Sequence, residues 1–112
     1  NHIAACGGIA QAVSQARIIA ADKLVEVEVE TIAELEQALA AQADVVMLDN
    51  FSTADVKALS RIDFGETKIE VSGNITKKTV KQYISARVNY ISSGSLTKHI
   101  QAVDLSMRFF EE

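Results

Sequence analysis

Leu24-Val25-Glu26-Val27-Glu28-Val29-Glu30 is the stretch on which the fold reading turns. Valine and glutamate alternate along it, and β-branched valines favour strand. Successive side chains of a strand point to opposite faces, so Glu26, Glu28 and Glu30 share one face and the valines the other. On an open antiparallel sheet the acidic face would simply be solvated. Here strands alternate with helices, which predicts a parallel sheet normally covered on both faces. A strand in such a sheet should be apolar throughout. Buried carboxylates are costly unless they are paired or bound to a cation, so the strand is the first place to look for chemistry.

Working outward, residues 8–21 are rich in alanine, with apolar positions at Ile9, Val13, Ala16 and Ala20, and read as an amphipathic helix. After the strand at 24–30, Thr31 with Glu34 three residues on is a capping-box pattern opening a helix over 32–42. A second strand is predicted at 44–49, then a helix capped by Ser52 or Thr53 and running to about 59. A third strand covers 68–72 and ends at Gly73, followed by a helix over 76–86. A fourth strand covers 88–93 and ends at Gly94, and a last helix is expected at 103–109. Strand starts at 24, 44, 68 and 88 recur at the period of a βα unit with short loops. Four successive βα units suit part of an α/β barrel or an open doubly wound sheet. No Gly-x-Gly-x-x-Gly turn follows a strand, which weakens a dinucleotide-binding reading.

Composition narrows the function classes. The chain has 112 residues, 48 % of them apolar, and a formal net charge of −4 with no basic run. That disfavours nucleic acid and anionic membrane as partners. No apolar stretch is long enough to span a bilayer. A single cysteine, Cys6, cannot form an internal disulfide, fits a reducing cytoplasmic setting, and reads as a small buried hydrophobe.

Active sites of parallel α/β folds gather at the C-terminal ends of the strands. There the sequence places Glu28 and Glu30, then Asp49 and Asn50, then Glu70-Val71-Ser72-Gly73-Asn74, then Ser92-Ser93-Gly94-Ser95. Two adjacent acidic ends suit a hard cation such as Mg²⁺, which takes oxygen ligands and keeps positions for a substrate phosphate. The two glycine turns suit a phosphate, because glycine admits close backbone approach and helix N-termini offer N–H donors. The plainer readings are a strand terminus for Asp49-Asn50 and ordinary turns for the glycine segments. His2 precedes every predicted element and is left open between a ligand and a bystander role. Lys98 could neutralise a phosphate or be a surface lysine. Phe109-Phe110 reads as docking the last helix on the barrel wall or on a partner subunit.

Five strings carry a family resemblance: Val25-Glu26-Val27-Glu28-Val29, Met47-Leu48-Asp49-Asn50-Phe51, Glu70-Val71-Ser72-Gly73-Asn74, Gly94-Ser95-Leu96-Thr97-Lys98 and Ala102-Val103-Asp104-Leu105-Ser106-Met107-Arg108. Together, and with Asn1-His2 at the start, they resemble quinolinate phosphoribosyltransferase, a type II phosphoribosyltransferase. The resemblance implies that residues 1–112 are the C-terminal part of an incomplete, TIM-like α/β barrel, without the N-terminal sandwich domain and first barrel strands. It implies an activity in NAD biosynthesis: quinolinate and phosphoribosyl pyrophosphate give nicotinate mononucleotide, pyrophosphate and carbon dioxide. It implies a homodimer or an assembly of dimers. By the same resemblance, Glu28 and Asp49 would hold Mg²⁺ and the ribose side of phosphoribosyl pyrophosphate, with Glu28 paired across the sheet with Asp49. Ser72, Gly73, Asn74, Ser93, Gly94 and Ser95 would cradle the 5-phosphate, and Glu70 would shape the pocket floor. His2 and Lys98 are weaker substrate-binding candidates. The family's basic quinolinate-binding residues fall mostly before the position of Asn1, so the 112 residues alone are expected to be inactive. The competing readings are another phosphate-binding α/β-barrel enzyme and an inactive barrel fragment acting as an association module. An aldolase-like alternative needs a lysine at a strand's C-terminal end, whereas Lys68 begins its strand.

Overall fold

Four short strands, β1 (Glu26–Val29), β2 (Val45–Asp49), β3 (Lys68–Ser72) and β4 (Tyr90–Ile91), form one parallel sheet in the order β1-β2-β3-β4. The computed structural model describes residues 1–85 and 87–110. Helix α1 (His2–Cys6) and α2 (Ile9–Ile19) precede the sheet, α3 (Ile32–Ala40) joins β1 to β2, and α4 (Thr53–Ala58) joins β2 to β3. A four-residue helix, α5 (Ser95–Lys98), follows β4. The barrel-type βα order expected from the sequence is therefore present, with β1 and β4 as the edge strands among the described residues.

Local signals account for the helix starts. The Thr31 hydroxyl accepts from the Glu34 N–H at 3.2 Å, and the Glu34 carboxylate accepts from the Thr31 N–H at 3.1 Å. Ser52 and Asp55 repeat this reciprocal pairing at the start of α4. Each pairing satisfies two N–H groups that the first helical turn leaves free.

One face of the sheet makes the core. Val27, Val29, Val46, Leu48, Ile69 and Val71 pack with Ile9, Val13, Leu35, Ala38, Val56 and Leu59 of the helices, and with Phe51, Phe64 and Ile75 of the connections. The largest fully buried side chains, among them Leu35, Leu48, Leu59, Ile69 and Ile75, each contribute about 1.5–3 kcal/mol of burial. The opposite face carries Glu26, Glu28, Val45, Met47, Asp49, Lys68, Glu70 and Ser72, and the register aligns them in rows. Glu26 and Glu28 are exposed. Within this chain the face expected to be covered is therefore exposed, and the alternation of β1 is the pattern of a strand with one wet face. The accessible surface, 8736 Å², exceeds the roughly 6,000 Å² of a compact monomer of this size. The Cα radius of gyration of 19.2 Å likewise exceeds the roughly 13 Å of a compact chain.

The departures are informative. His2 lies in a helix, α1, that the sequence reading did not foresee. That helix buries no side chain, so Cys6 is exposed rather than a buried hydrophobe. The helix expected over 76–86 is reduced to a 3₁₀ turn at Val80–Gln82, and its expected end at Ala86 lies outside the described residues. Thr76 and Thr79 bond each other and the local backbone there, a side-chain competition that favours turns over continued helix. The fourth strand is shorter than 88–93, although Asn89 N–H to Ile69 and Ser92 N–H to Val71 extend its pairing by one bond each way. Residues 101–110 form neither helix nor strand and are exposed, so the helix expected at 103–109 is absent and Phe109 and Phe110 are not docked. A seven-residue helix is marginal without a surface to pack on.

Candidate functional site

The C-terminal ends of the four strands bring the chemistry-bearing residues to one rim, on and beside the wet face. On that face Glu28 stands opposite Met47, and Met47 opposite Glu70. Asp49 stands opposite Ser72, one row further along. Glu28 and Asp49 are therefore diagonal neighbours on one face of adjacent strands, with Met47 directly across from Glu28. Among the described residues, no three His, Cys, Asp or Glu side chains converge as a complete metal cage. Two carboxylates on one face of the sheet nevertheless fit Mg²⁺, which is commonly held by one or two carboxylates together with substrate phosphates and waters.

Beside these acids the β2 and β3 ends are knitted together. Asn50 donates from Nδ2 to the Asp49 carboxylate at 2.8 Å, and Asn74 donates from Nδ2 to Asn50 Oδ1 at 3.0 Å. The Asn50 N–H reaches the Ser72 carbonyl at 3.1 Å. Asn50 and Asn74 adopt φ of 57° and 50°, and Gly73 adopts 92°. Left-handed conformations in non-glycine residues cost free energy, with asparagine among the most tolerant, and they cluster at functional sites. Gly73 also lies so close to Asn50 that an added Cβ would meet the Asn50 N at 2.5 Å and its Cγ at 2.7 Å.

At the β4 end, the Ser92 hydroxyl donates to the Glu70 carboxylate and the Ser93 hydroxyl to the Ile75 carbonyl. Ser93 and Ser95 share a hydrogen bond of 2.8 Å between their hydroxyls. Gly94 precedes α5, and the Lys98 side chain folds back over it, its Nζ 3.9 Å from where a Gly94 Cβ would lie. Lys98 thus sits beside the second glycine turn while remaining exposed. His2 lies apart from both turns. It lines, with Asn1, Ile3, Glu26 and Glu28, a cleft of about 350 Å³ beside the free edge of β1.

The acidic face is electrostatically loaded. Partial desolvation raises the Glu26 carboxyl above its usual range, and the Glu70 charge and hydrogen bond, then the Glu28 charge, push it the same way. At the other end of the sheet the Val25 N–H holds Asp44 below its usual range, with Arg17 adding to the effect. The ion pair between Arg17 and Asp44 spans 3.2 Å, and Arg17 also reaches the Gln42 carbonyl at 2.6 Å. These groups line the larger cleft, about 830 Å³, at the N-terminal ends of the strands, where Lys68 also lies.

Sequence reasoning missed the bridging role of Asn50 and the Ser92–Glu70 contact. An asparagine directly after a strand was the available signal, because it tolerates the left-handed turn that aims its amide back at the strand end.

The sequence profile of the family described as quinolinate phosphoribosyl transferase, C-terminal domain, matches residues 1–108. The chain belongs to this family. The quinolinate phosphoribosyl transferase relatives include a probable nicotinate-nucleotide pyrophosphorylase (carboxylating) of Bacillus subtilis, 42 % identical over 96 % of this chain and 37 % of its own length. The nicotinate-nucleotide pyrophosphorylase (carboxylating) of Homo sapiens is 37 % identical over 98 % of this chain and 38 % of its own length. Among solved structures, the nicotinate-nucleotide pyrophosphorylase of Francisella tularensis superposes with a TM-score of 0.84 at 49 % identity, covering 95 % of this chain and 38 % of that one. The quinolinate phosphoribosyl transferase domain seen here therefore spans less than two-fifths of the length of these relatives. No helix among its described residues is long and apolar enough to cross a membrane.

Proposed function

We propose that this chain supplies the phosphoribosyl half of the active site of an enzyme that makes nicotinate mononucleotide, pyrophosphate and carbon dioxide from quinolinate and phosphoribosyl pyrophosphate. The observation that carries the reading is the gathering of Glu28, Asp49, Ser72-Gly73-Asn74 and Ser93-Gly94-Ser95 at one end of one sheet, in a chain of this family.

The chemistry asked of these residues is charge management. Pyrophosphate leaves the anomeric carbon while positive charge develops on the ribose. Glu28 and Asp49, on the face beside the reacting sugar, stabilise that charge and would hold Mg²⁺. Bound Mg²⁺ supplies charge neutralisation at the leaving oxygens. The turns at Gly73 and Gly94 present backbone N–H groups to the 5-phosphate, with Lys98 close enough to add a cation. Glu70, tied to Ser92, braces the floor between the two turns. The quinolinate carboxylates require a basic pocket contributed from elsewhere, so the reading includes a longer protein acting as a dimer or an assembly of dimers, in the cytoplasm.

The test is turnover of quinolinate and phosphoribosyl pyrophosphate by the intact enzyme with Mg²⁺. Glu28→Ala and Asp49→Ala are each expected to lower kcat by at least ~10²-fold. Unchanged turnover in both variants would sink the assignment.

A further inference from the structure

Three residues in left-handed conformations, Asn50, Gly73 and Asn74, meet where β2 and β3 end, and the two asparagine side chains form with Asp49 a chain of contacts with one direction. Asn74 donates to Asn50, and Asn50 donates to Asp49. An asparagine amide has a donor end and an acceptor end. With its Oδ1 engaged by Asn74, Asn50 must present its Nδ2 outward, and Asp49 receives it. The Asn50 N–H to Ser72 carbonyl bond fixes the backbone under this arrangement, and Gly73 is packed so closely against Asn50 that the turn and the amide cannot shift independently. We propose that Asn50 is a positioning residue that couples the glycine turn after β3 to the carboxylate of Asp49. Asn50 already holds one Asp49 oxygen, Oδ2, and leaves the other for a cation; anion binding at Ser72-Gly73-Asn74 reaches that carboxylate through Asn74 and Asn50. The inference deepens the function proposed above and rests on it.

Glycine substitutions test it with little backbone strain, because glycine adopts the left-handed region readily. The experiment measures Mn²⁺ binding by electron paramagnetic resonance in the intact protein, with saturating phosphoribosyl pyrophosphate and no quinolinate. Asn50→Gly and Asn74→Gly are each expected to weaken Mn²⁺ binding about tenfold, the scale of one hydrogen bond to a charged group. Because Asn74 acts through Asn50, the double variant should bind no more weakly than Asn50→Gly alone. Wild-type Mn²⁺ affinity in Asn74→Gly, or losses that multiply in the double variant, would overturn the coupling while leaving the assigned function standing. Absence of Mn²⁺ and phosphoribosyl pyrophosphate binding in the parent protein would overturn the assigned function and the coupling with it. A second reading does not depend on the metal. The ¹⁵N side-chain amide resonance of Asn50 should respond to metal-free ribose 5-phosphate in the parent and lose most of that response in Asn74→Gly; an equal response in both contradicts the proposal.

Discussion

Gly73→Ala should be far more damaging than its one added methyl suggests, and the structure divides the cost into two parts. The first is conformational: Gly73 sits at φ 92°, and an L side chain there costs about 1–2 kcal/mol. The second is steric. The new Cβ would lie 2.5 Å from the Asn50 N and 2.7 Å from its Cγ. Asn50 cannot retreat without giving up its bonds to Ser72, Asp49 and Asn74, and overpacking of this kind costs about 1–3 kcal/mol more. The total is about 2–5 kcal/mol. Gly65 provides the control, since it also has a positive φ, 54°, but an added Cβ there meets nothing within 4 Å. Gly65→Ala should cost only the conformational part, about 1–2 kcal/mol. Urea unfolding of the intact protein and both variants, with equal m-values as the check on comparability, reads the difference. Equal destabilisation by the two substitutions would refute the claim that Gly73 is held against Asn50.

Two further predictions concern pH. Asp44→Ala should destabilise by about 1–2 kcal/mol at neutral pH, the worth of its bond to the Val25 N–H and its partly exposed pair with Arg17. The folded-state pKa of Asp44 is lowered, so this stability is present above its usual 3.8 and is lost as pH falls below it; denaturation midpoints of the parent and variant should converge on acidification, and a gap that persists unchanged at pH 2 would contradict this. Glu26→Gln should act with the opposite sign. The folded-state pKa of Glu26 is raised, so its ionisation opposes folding as pH rises above the usual 4.5. The variant should melt higher than the parent at pH 7 and equal to it at pH 3.5, whereas a lower melting temperature at pH 7 would count against the like-charge crowding of Glu26 by Glu70 and Glu28.

Much of the frame was legible in residue order. The alternation at 24–30 and in Lys68–Ser72 gave two strands, because burial on one face imposes period two, and the short continuous apolar run Val45, Val46, Met47 and Leu48 gave a third. Thr31 with Glu34, and Ser52 or Thr53 as a cap, gave helix starts, because capping is local chemistry. What failed depended on partners rather than on local pattern. The segment with Val103, Leu105, Met107 and Phe109 has helix-forming residues but no packed surface in this chain, and remains irregular and exposed. Burial of Cys6 was inferred from residue type, which says nothing of whether α1 meets a neighbour. The acidic face of β1 was expected to be covered and is exposed in this chain, and a parallel sheet covered on both sides and one covered on a single side differ only in what lies beyond the chain. The site residues themselves were legible from their place at strand ends. The link through Asn50 was not, because it depends on three backbone conformations meeting in space.

The most direct test of the whole account is a crystal structure of the intact protein with phosphoribosyl pyrophosphate and Mg²⁺. The account predicts the 5-phosphate in the turns at Ser72-Gly73-Asn74 and Ser93-Gly94-Ser95, with the metal between the Glu28 and Asp49 carboxylates. A phosphoribosyl pyrophosphate lodged instead in the cleft of about 830 Å³ at the opposite end of the strands, against Arg17 and Lys68, would contradict it.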